Sequence, residues 1–365
     1  NQVLAQRARL FTSEQDVLFN SVQAYVNVIR DQELLALNIN NEQVLTEQLR
    51  ATNERFRVGE ITRTDVAQAE SRLALARFQR SQAEGNLQVS RAVFRRLIGA
   101  VPERLVAPQP LRPPVRSAQE AAQLAAVNNP AVVAALFDEA AARDNVDIQI
   151  ASLLPQLSVQ GQAFRNSASI QAGTVLQGTQ AIINLTVPIY QGGAEYALVR
   201  QARQEAVRVR NVVDEARRTA VQTATQAWEQ FQTARAQVES SRAQIRAASI
   251  ALDGVQREAI VGSRTTLDVL NAEQELLSAR TNLVTALATL VQQSYQVAAA
   301  VGRLTAQDLG LPVEIYNMRA YYAEVRNRWV GLGDYAGSAQ ARAQAEIQSQ
   351  RAAAERFMQG TEQGR

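Results

Sequence analysis

The stretch Val261-Gly-Ser-Arg-Thr-Thr-Leu-Asp-Val-Leu-Asn-Ala-Glu-Gln-Glu-Leu276 is a short glycine turn that leads into a long helix. An earlier copy reads Val58-Gly-Glu-Ile-Thr-Arg-Thr-Asp-Val-Ala-Gln-Ala-Glu-Ser-Arg-Leu73. Adding 203 to a residue number in the earlier copy gives its counterpart, and 10 of the 20 positions from Val58 to Arg77 are identical. An ungapped repeat of this length predicts two copies of one structural unit.

Long helices are predicted on both sides of each glycine turn. Gly and Pro are absent from residues 1–54, and the next helix ends at Ile98, before a glycine. In the second repeat, helices cover about 194–258 and then run from the turn to Val301. At 1.5 Å per residue the longer helices reach roughly 80 and 95 Å. Each repeat is therefore predicted to be a long antiparallel helical hairpin with the glycine turn at its tip, and Thr62 or Thr64 is expected to cap the helix that follows the first turn.

The last of these helices carries a heptad pattern. Two adjacent apolar rows recur every seven residues, which is typical of coiled-coil packing. The first row is Leu270, Leu277, Val284, Val291 and Ala298, and the second is Leu276, Leu283, Leu290 and Val297.

The segment between the repeats contains three kinds of structure. Residues 100–117 hold five prolines, which predicts an extended connection. Residues 118–154 predict two short helices. Residues 155–192 alternate apolar and polar side chains in two strands, Pro155–Asn166 and Gln180–Tyr190, joined by a small polar loop. The length and alternation of these strands fit either a membrane β-hairpin or an ordinary half-buried soluble hairpin, and the soluble hairpin is the commoner of the two.

Composition excludes several functional classes. The chain has no Cys and no His, which removes thiol chemistry, Ser-His-Asp triads and the commonest zinc ligand. A net charge of +3 with interspersed signs gives no nucleic-acid footprint. Glu70 and Glu273 occupy equivalent positions in the two repeats. Because no sequence feature near these helix carboxylates predicts a binding pocket, they give little support to an enzymatic function. We therefore expect no catalytic residues, no cofactor and no metal.

The two ends of the chain carry separate expectations. Residues 193–302 complete the second repeat, residues 303–333 predict a strap with a short helix, and residues 334–365 predict a mobile tail because they contain almost no large apolar side chains. The first repeat lacks a counterpart to the short helices and strand hairpin. The repeat therefore predicts about 90 further upstream residues and a signal peptide in the complete gene product.

These motifs resemble the TolC family of outer-membrane efflux and secretion channels. The resemblance rests on Arg55-Phe-Arg-Val-Gly59 with Thr64-Asp65-Val66, on the second copy of that motif, on Asn129-Pro130, and on Val187-Pro-Ile-Tyr-Gln-Gly-Gly193. The resemblance covers about residues 1–303. The sequence Arg264-Thr-Thr-Leu-Asp-Val-Leu270 looks most like that of the type I secretion branch.

The resemblance implies a mainly α fold with a β-hairpin, assembled as a homotrimer. Strands would close a transmembrane β-barrel among outer-membrane lipids, and residues 1–99 and 193–302 would form a periplasmic helical tunnel. Residues 100–117, 118–154 and 303–333 would form an equatorial belt. The implied partners are a periplasmic adaptor and an inner-membrane pump, either an ABC transporter or a proton-driven one, and the implied function is a passive exit duct.

The resemblance also implies a gate and a docking surface. Arg264 would pair with Thr64 and Asp65 across neighbouring hairpins, although solvated turn charges are the plainer interpretation. Asp268 would form a carboxylate ring at the entrance, whereas Asn271 replaces a second ring carboxylate and Ala259 replaces a supporting tyrosine. The adaptor would contact the tips at Val58, Gly59, Val261, Gly262 and Ser263.

A soluble periplasmic coiled-coil adaptor or scaffold is the alternative. Such a protein shares long helical hairpins, but it does not need period-two strands beside the Tyr190-Gln-Gly-Gly193 corner. Fractionation would discriminate the two, because a scaffold would be recovered in the soluble fraction and a channel in the outer membrane.

Overall fold

The computed structural model describes residues 1–167 and 175–313 together with Arg326. The chain divides into two compact units, residues 1–309 and 310–365. The elements are α1 (Gln2–Arg57), α2 (Arg63–Ile98), α3 (Ala118–Asn128), α4 (Pro130–Ala151), β1 (Gln156–Ser167), β2 (Val175–Thr186), α5 (Ala194–Ile260) and α6 (Thr266–Ala300). The predicted strap at 303–333 lies mostly outside the described residues, and the predicted tail at 334–365 lies entirely outside them.

The two predicted helical hairpins are present. Helix α1 packs along α2, and α5 packs along α6. With 56 residues in α1 and 67 in α5, the long helices measure about 84 and 100 Å at 1.5 Å per residue. Small side chains dominate their contacts, because these let helices approach closely without a thick core. The buried alanines include Ala24, Ala69, Ala76, Ala224, Ala234 and Ala279.

A compact apolar cluster joins the short helices to the second hairpin. Helices α3 and α4 contribute Ala121, Ala125 and Val132, and these pack against α5 and the end of α6. Helix α4 also contacts α1. The short helices therefore connect the two repeats at the end of the hairpins remote from the glycine turns.

Repeat-related glycines end α2 and α6 in different surroundings. Gly99 has φ 79° and Gly302 has φ 78°, both in the left-handed region that favours glycine. A Cβ built on Gly99 meets nothing within 4 Å, whereas on Gly302 it would lie 2.5 Å from the carbonyl oxygen of Asn128. Asn129 then caps α4 through its Oδ1 and donates from Nδ2 to the carbonyl of Ala300 at 3.1 Å. The second repeat thus needs glycine for close packing as well as for its turn.

The strands form one antiparallel pair, with Gln156 opposite Thr186 and Ser167 opposite Val175. The first strand confirms the prediction, but the predicted bounds of the second, Gln180–Tyr190, are wrong at both ends. Pro188 has no N–H to donate to a ladder, so pairing stops at Thr186. Pairing extends back to Val175. Within this stretch the ring of Phe164 packs over the bare Cα of Gly178, where a Cβ would meet it at 2.9 Å.

One face of this strand pair is an exposed apolar row. Leu157 faces Leu185, and Val159 faces Ile183. These four side chains are 64–71% exposed in the single chain. The opposite face is largely polar, and Gln180 donates to Gln162 across it at 2.8 Å. An aligned row of exposed large apolar side chains indicates a surface that contacts something apolar.

Among the helices of the described residues, none combines the length and the hydropathy that a membrane span requires.

Candidate gate at the tips of the helical hairpins

Each long helix ends at its tip in the same hydrogen-bonded turn. At the first tip, the N–H of Gly59 donates to the carbonyl of Phe56 at 2.9 Å and that of Glu60 donates to Arg55 at 3.0 Å. At the second, Gly262 donates to Ala259 and Ser263 to Glu258 in the same pattern. These bonds satisfy the last carbonyls of the helix and require positive φ, which is 81° at Gly59 and 78° at Gly262.

A capping box starts the helix after each turn. Asp65 Oδ2 accepts from the backbone N–H of Thr62 at 3.0 Å and from its hydroxyl at 2.7 Å. At the second tip, Asp268 Oδ2 accepts from the N–H of Thr265 at 3.0 Å and from its hydroxyl at 2.8 Å. The cap of α2 is therefore Thr62, while Thr64 lies inside the helix and is exposed.

The caps keep both tip aspartates ionised. The side-chain hydrogen bond from Thr62, aided by its backbone N–H, lowers the pKa of Asp65 below its ordinary value. For Asp268 the backbone N–H of Thr265 is the largest cause of the lowered pKa, followed by its hydroxyl. Hydrogen bonds to a carboxylate favour its charged form. Each tip therefore carries a fixed negative charge at the positive end of a helix.

At each tip an ion pair joins the end of the long helix to the turn, and the positions of the arginine and the glutamate are exchanged between the two tips. At the first tip, Arg55 on the helix donates through Nε to Glu60 in the turn at 2.9 Å. At the second, Arg264 in the turn donates through Nε to Glu258 on the helix at 2.8 Å. The bond to Glu258 is the main cause of the raised pKa of Arg264. The turn is consequently negative at the first tip and positive at the second.

The predicted gate residues all lie near the tips, but within one chain they take separate partners. Arg264 binds Glu258, while Asp65 and Asp268 each complete their own caps. The link from Arg264 to Thr64 and Asp65 stays a prediction about neighbouring hairpins, and the Asp268 ring stays a prediction about neighbouring copies.

The tips themselves present apolar side chains to solvent. Val58 and Val261 occupy equivalent positions and are 77% and 78% exposed, and Ile260 is 84% exposed. Val58 and Gly59 form the uncharged end of the first turn. Ile260, Val261, Gly262 and Ser263 form the uncharged end of the second. Each tip therefore presents one or two exposed apolar side chains to solvent.

Space remains between the tips beside Ala259. A cavity of about 500 Å³ is lined by Arg55 and Glu60 from the first hairpin and by Gln256, Ala259 and Ile260 from the second. A methyl side chain at this position does not fill the cavity. The tips are therefore not packed tightly against each other.

Sequence reasoning did not assign a role to Arg72, although the structure brings it to a predicted gate position. Arg72 on α2 donates through Nη2 to Oδ1 of Asn271 on α6 at 2.9 Å. The two residues are 199 apart in sequence, and no local motif joins them. The opposite charge of its repeat counterpart, Glu275, is the one sequence signal that distinguishes this position.

Glu273 is a second residue whose surroundings the sequence did not reveal. Its Oε2 is buried and accepts no hydrogen bond among the described residues. Burial raises the pKa of Glu273, and a hydrogen bond with Gln256 opposes part of that rise. Desolvation of the carboxyl is thus the largest cause of the raised pKa. The described residues contain no group of three or more His, Cys, Asp or Glu able to hold a metal.

Comparison with known proteins identifies the class to which this fold and these tips belong. Residues 121–303 match the family model for outer membrane efflux proteins. The chain is 36% identical over 334 residues to the outer membrane efflux protein BepC of Brucella suis, covering 91% of this chain and 73% of BepC. The chain therefore belongs to the outer membrane efflux protein family, as the resemblance to TolC predicted.

More distant relatives include both TolC and a secretion protein. Outer membrane protein TolC of Escherichia coli is 24% identical over 320 residues, which cover 82% of this chain and 64% of TolC. The alkaline protease secretion protein AprF of Pseudomonas aeruginosa is 26% identical over 290 residues, covering 77% of this chain and 60% of AprF. The chain thus spans about three fifths to three quarters of the length of these relatives.

A solved structure supports the fold independently. The CmeC outer membrane channel of Campylobacter jejuni superposes with a TM-score of 0.70 at 20% identity, over 82% of this chain and 67% of that one. These relatives and neighbours are channel proteins, not enzymes. Family membership also decides against the soluble scaffold.

Proposed function

We propose that this chain forms the outer-membrane exit duct of a tripartite export system, in which three copies build one channel with a gated periplasmic entrance. The observation that carries the proposal is the exposed apolar row of the strand hairpin on a chain whose helical hairpins end in charged, capped turns. The proposal extends family membership to the assembly, the gate and the partners of this chain.

The strand hairpin supports contact with lipid. Leu157, Val159, Ile183 and Leu185 project from one face, and the helices do not cover them. Burying four such side chains in an apolar medium contributes about 1.5–3 kcal/mol each. A row of this kind facing lipid with polar residues behind it is typical of a transmembrane barrel strand pair.

Exposed apolar side chains on the helices support assembly with further copies. Phe78 and Val89 on α2 are 62% and 64% exposed, and Val207 and Ile250 on α5 are 53% and 73% exposed. Single exposed residues are ordinary, but these recur along helices of 36 and 67 residues. Neighbouring copies would cover them in a helical tunnel with thin walls.

The tips support the gate and the docking surface. The positive turn at Arg264 would meet the negative tip at Thr64 and Asp65 of a neighbouring hairpin, and three Asp268 carboxylates would surround the entrance. Exposed ion pairs contribute about 0–1 kcal/mol each, so contacts with a partner can replace them at little cost. Val58, Val261 and the turn residues beside them would contact the periplasmic adaptor, which in turn binds an inner-membrane pump.

Single-channel recording in planar bilayers tests the proposal. The full-length protein, recovered from the outer-membrane fraction, is expected to form channels of low conductance because the entrance is closed. Arg264→Ala and Asp65→Ala should each raise conductance. Arg57→Ala is the matched control, because Arg57 lies beside the first tip but pairs within its own helix with Glu54 at 3.3 Å.

A second control separates the gate from the helix cap. Thr62→Ala removes the cap hydroxyl while leaving the Asp65 carboxylate available to a neighbouring hairpin. We expect Thr62→Ala to keep the wild-type conductance. Recovery in the soluble fraction, or equal conductance for wild type, Arg264→Ala and Asp65→Ala, would refute the proposal.

A further inference from the structure

We propose that Arg72 is a gate residue of this channel, and that its hydrogen bond to Asn271 is the latch that holds the second helical hairpin against the first within each copy. The inference rests on the proposed channel function and adds to it a contact that the predicted gate does not include. Its basis is the way the two hairpins meet at three successive levels.

At the level farthest from the tips, the hairpins meet through apolar packing. Val26 of α1 packs with Ala288 and Val291 of α6, and all three are buried. Beside them the amide of Gln292 donates to Oδ1 of Asn27 at 3.0 Å. Close-packed apolar contacts fix the relative position of two helices, so this level serves as the pivot.

At the middle level, an open groove of about 310 Å³ separates the hairpins. Its lining is mixed, with Leu34 and Leu277 beside amides and hydroxyls that include Asn38 and Gln79 on the first hairpin and Gln274 and Ser278 on the second. Polar groups that water can solvate equally well on either side give little net attraction. The groove therefore allows the hairpins to separate.

Nearest the tips, a small apolar cluster and a hydrogen bond from a charged group join the hairpins. Leu270 of α6 is 2% exposed and packs against Leu45, Leu73 and Ala76 of the first hairpin. The adjacent residue, Asn271, is exposed and accepts a hydrogen bond from the guanidinium of Arg72, a residue of intermediate exposure. Hydrogen bonds with a charged partner are stronger than neutral ones, and this one ties the first turns of α6 to α2.

The identity of residue 271 sets the strength of the latch. Asn271 gives Arg72 a neutral acceptor, whereas a carboxylate there would form a full ion pair. The amide also leaves the positive charge of Arg72 uncompensated by its partner, whereas Arg77 in the same hairpin has the carboxylate of Glu42 at 3.4 Å, which it shares with Arg80. We infer that the latch releases readily and that it makes the entrance less negative.

Channel recording on the full-length protein tests the latch. Arg72→Ala and Asn271→Ala should each raise the open fraction about fivefold, the effect of losing one ordinary hydrogen bond. The double variant should equal either single variant, because both remove one interaction. Asn271→Asp should lower the open fraction below that of wild type, and this effect should vanish in the Arg72→Ala background. Arg77→Ala, which loses an ion pair within the first hairpin, should match wild type.

Cross-linking supplies a readout that does not depend on conductance. The chain has no cysteine, so Arg72→Cys with Asn271→Cys can be joined by a short bismaleimide and detected as an intramolecular link by mass spectrometry. The linked protein should stay closed, and Arg77→Cys with Asn271→Cys should link poorly. Equal linking of the two pairs, or a wild-type open fraction in Arg72→Ala, overturns the latch. Absence of any channel in wild type would instead count against the proposed function.

Discussion

The two hairpin tips share one backbone but hold their ion pairs in opposite orientations. Their glycines differ by 3° in φ, and their capping boxes match atom for atom. Yet Arg55 of the first repeat corresponds to Glu258 of the second, and Arg72 corresponds to Glu275. The identical residues fix the turn, and the differing ones distribute charge. In the proposed trimer the two kinds of tip alternate, so each positive turn has a negative turn on either side.

The largest difference between the repeats is expected at their closing glycines. Gly302→Ala should lower the free energy of unfolding by about 3 kcal/mol or more, because left-handed strain adds to a clash with the Asn128 carbonyl. Gly99→Ala carries only the strain and should cost about 1 kcal/mol. Thermal unfolding followed by circular dichroism of the helices measures both variants. Equal losses would show that the surroundings of Gly302 do not matter.

The capping boxes should contribute equally at the two tips. Thr62→Ala and Thr265→Ala are each expected to cost about 1 kcal/mol, the usual effect of removing a threonine cap. Hydrogen exchange of the first-turn amides of α2 and α6 reports each tip separately. Thr64→Ala is the matched control, because Thr64 lies one position inside α2 and should leave exchange unchanged. If Thr62→Ala and Thr265→Ala lost different amounts of protection from hydrogen exchange, the two capping boxes would not be equivalent.

A pair of repeat-related glutamates should respond differently to pH. Because the folded chain raises the pKa of Glu273, the protonated carboxyl stabilises the fold fully below the ordinary glutamate pKa, and this stabilisation is lost as pH rises through the raised value. Glu273→Gln should therefore increase the thermal midpoint at neutral pH and leave it nearly unchanged in acid.

Glu70 provides the internal comparison for that experiment. It is the counterpart of Glu273 in the first repeat and is exposed. Because its side chain is already solvated, Glu70→Gln should leave the thermal midpoint nearly unchanged at neutral pH. A rise in stability for Glu70→Gln as large as that for Glu273→Gln would rule out burial as the cause.

The smallest effect on stability is expected from the exposed ion pairs that cross the turns. Arg55→Ala and Arg264→Ala should both leave the thermal midpoint almost unchanged, since exposed pairs are solvated and screened by salt. Conductance should then separate them, because Arg264 alone is proposed to reach a neighbouring tip. If Arg55→Ala also opened the channel, loss of the arginine at either tip would be enough to open the gate, and Arg264 would have no special role.

Much of the fold follows from the sequence because its signals are local or repeated. Glycines at equal offsets, long stretches without Gly or Pro, and Ser117 or Pro130 at helix starts all act within a few residues of where they stand. The first strand follows from its alternation. The start of the second strand could not be predicted in this way, because residues 175–179 include Gly178 and lack a clear alternation, while their partners lie across the sheet.

The candidate site was less accessible to sequence reasoning. The positions of Asp65, Arg264, Asp268 and Asn271 near the tips follow from the repeat and the family motif. Their partners do not, because the helix caps compete for the same carboxylates. Thr62 donates to Asp65, and Thr265 donates to Asp268. The contact of Arg72 with Asn271 depends on how two hairpins lie side by side, which no local pattern encodes.

The distance between the apolar contact at Val291 and the turn at Gly262 makes α6 a lever arm. These residues are 29 positions apart, which in a helix corresponds to about 44 Å. A rigid tilt of about 10° at the contact would carry the tip through roughly 8 Å, given that rise per residue. Side chains at the contact would move by only a fraction of that distance. A modest push by a partner on the turn could therefore widen the entrance while every backbone hydrogen bond of the helix stays intact.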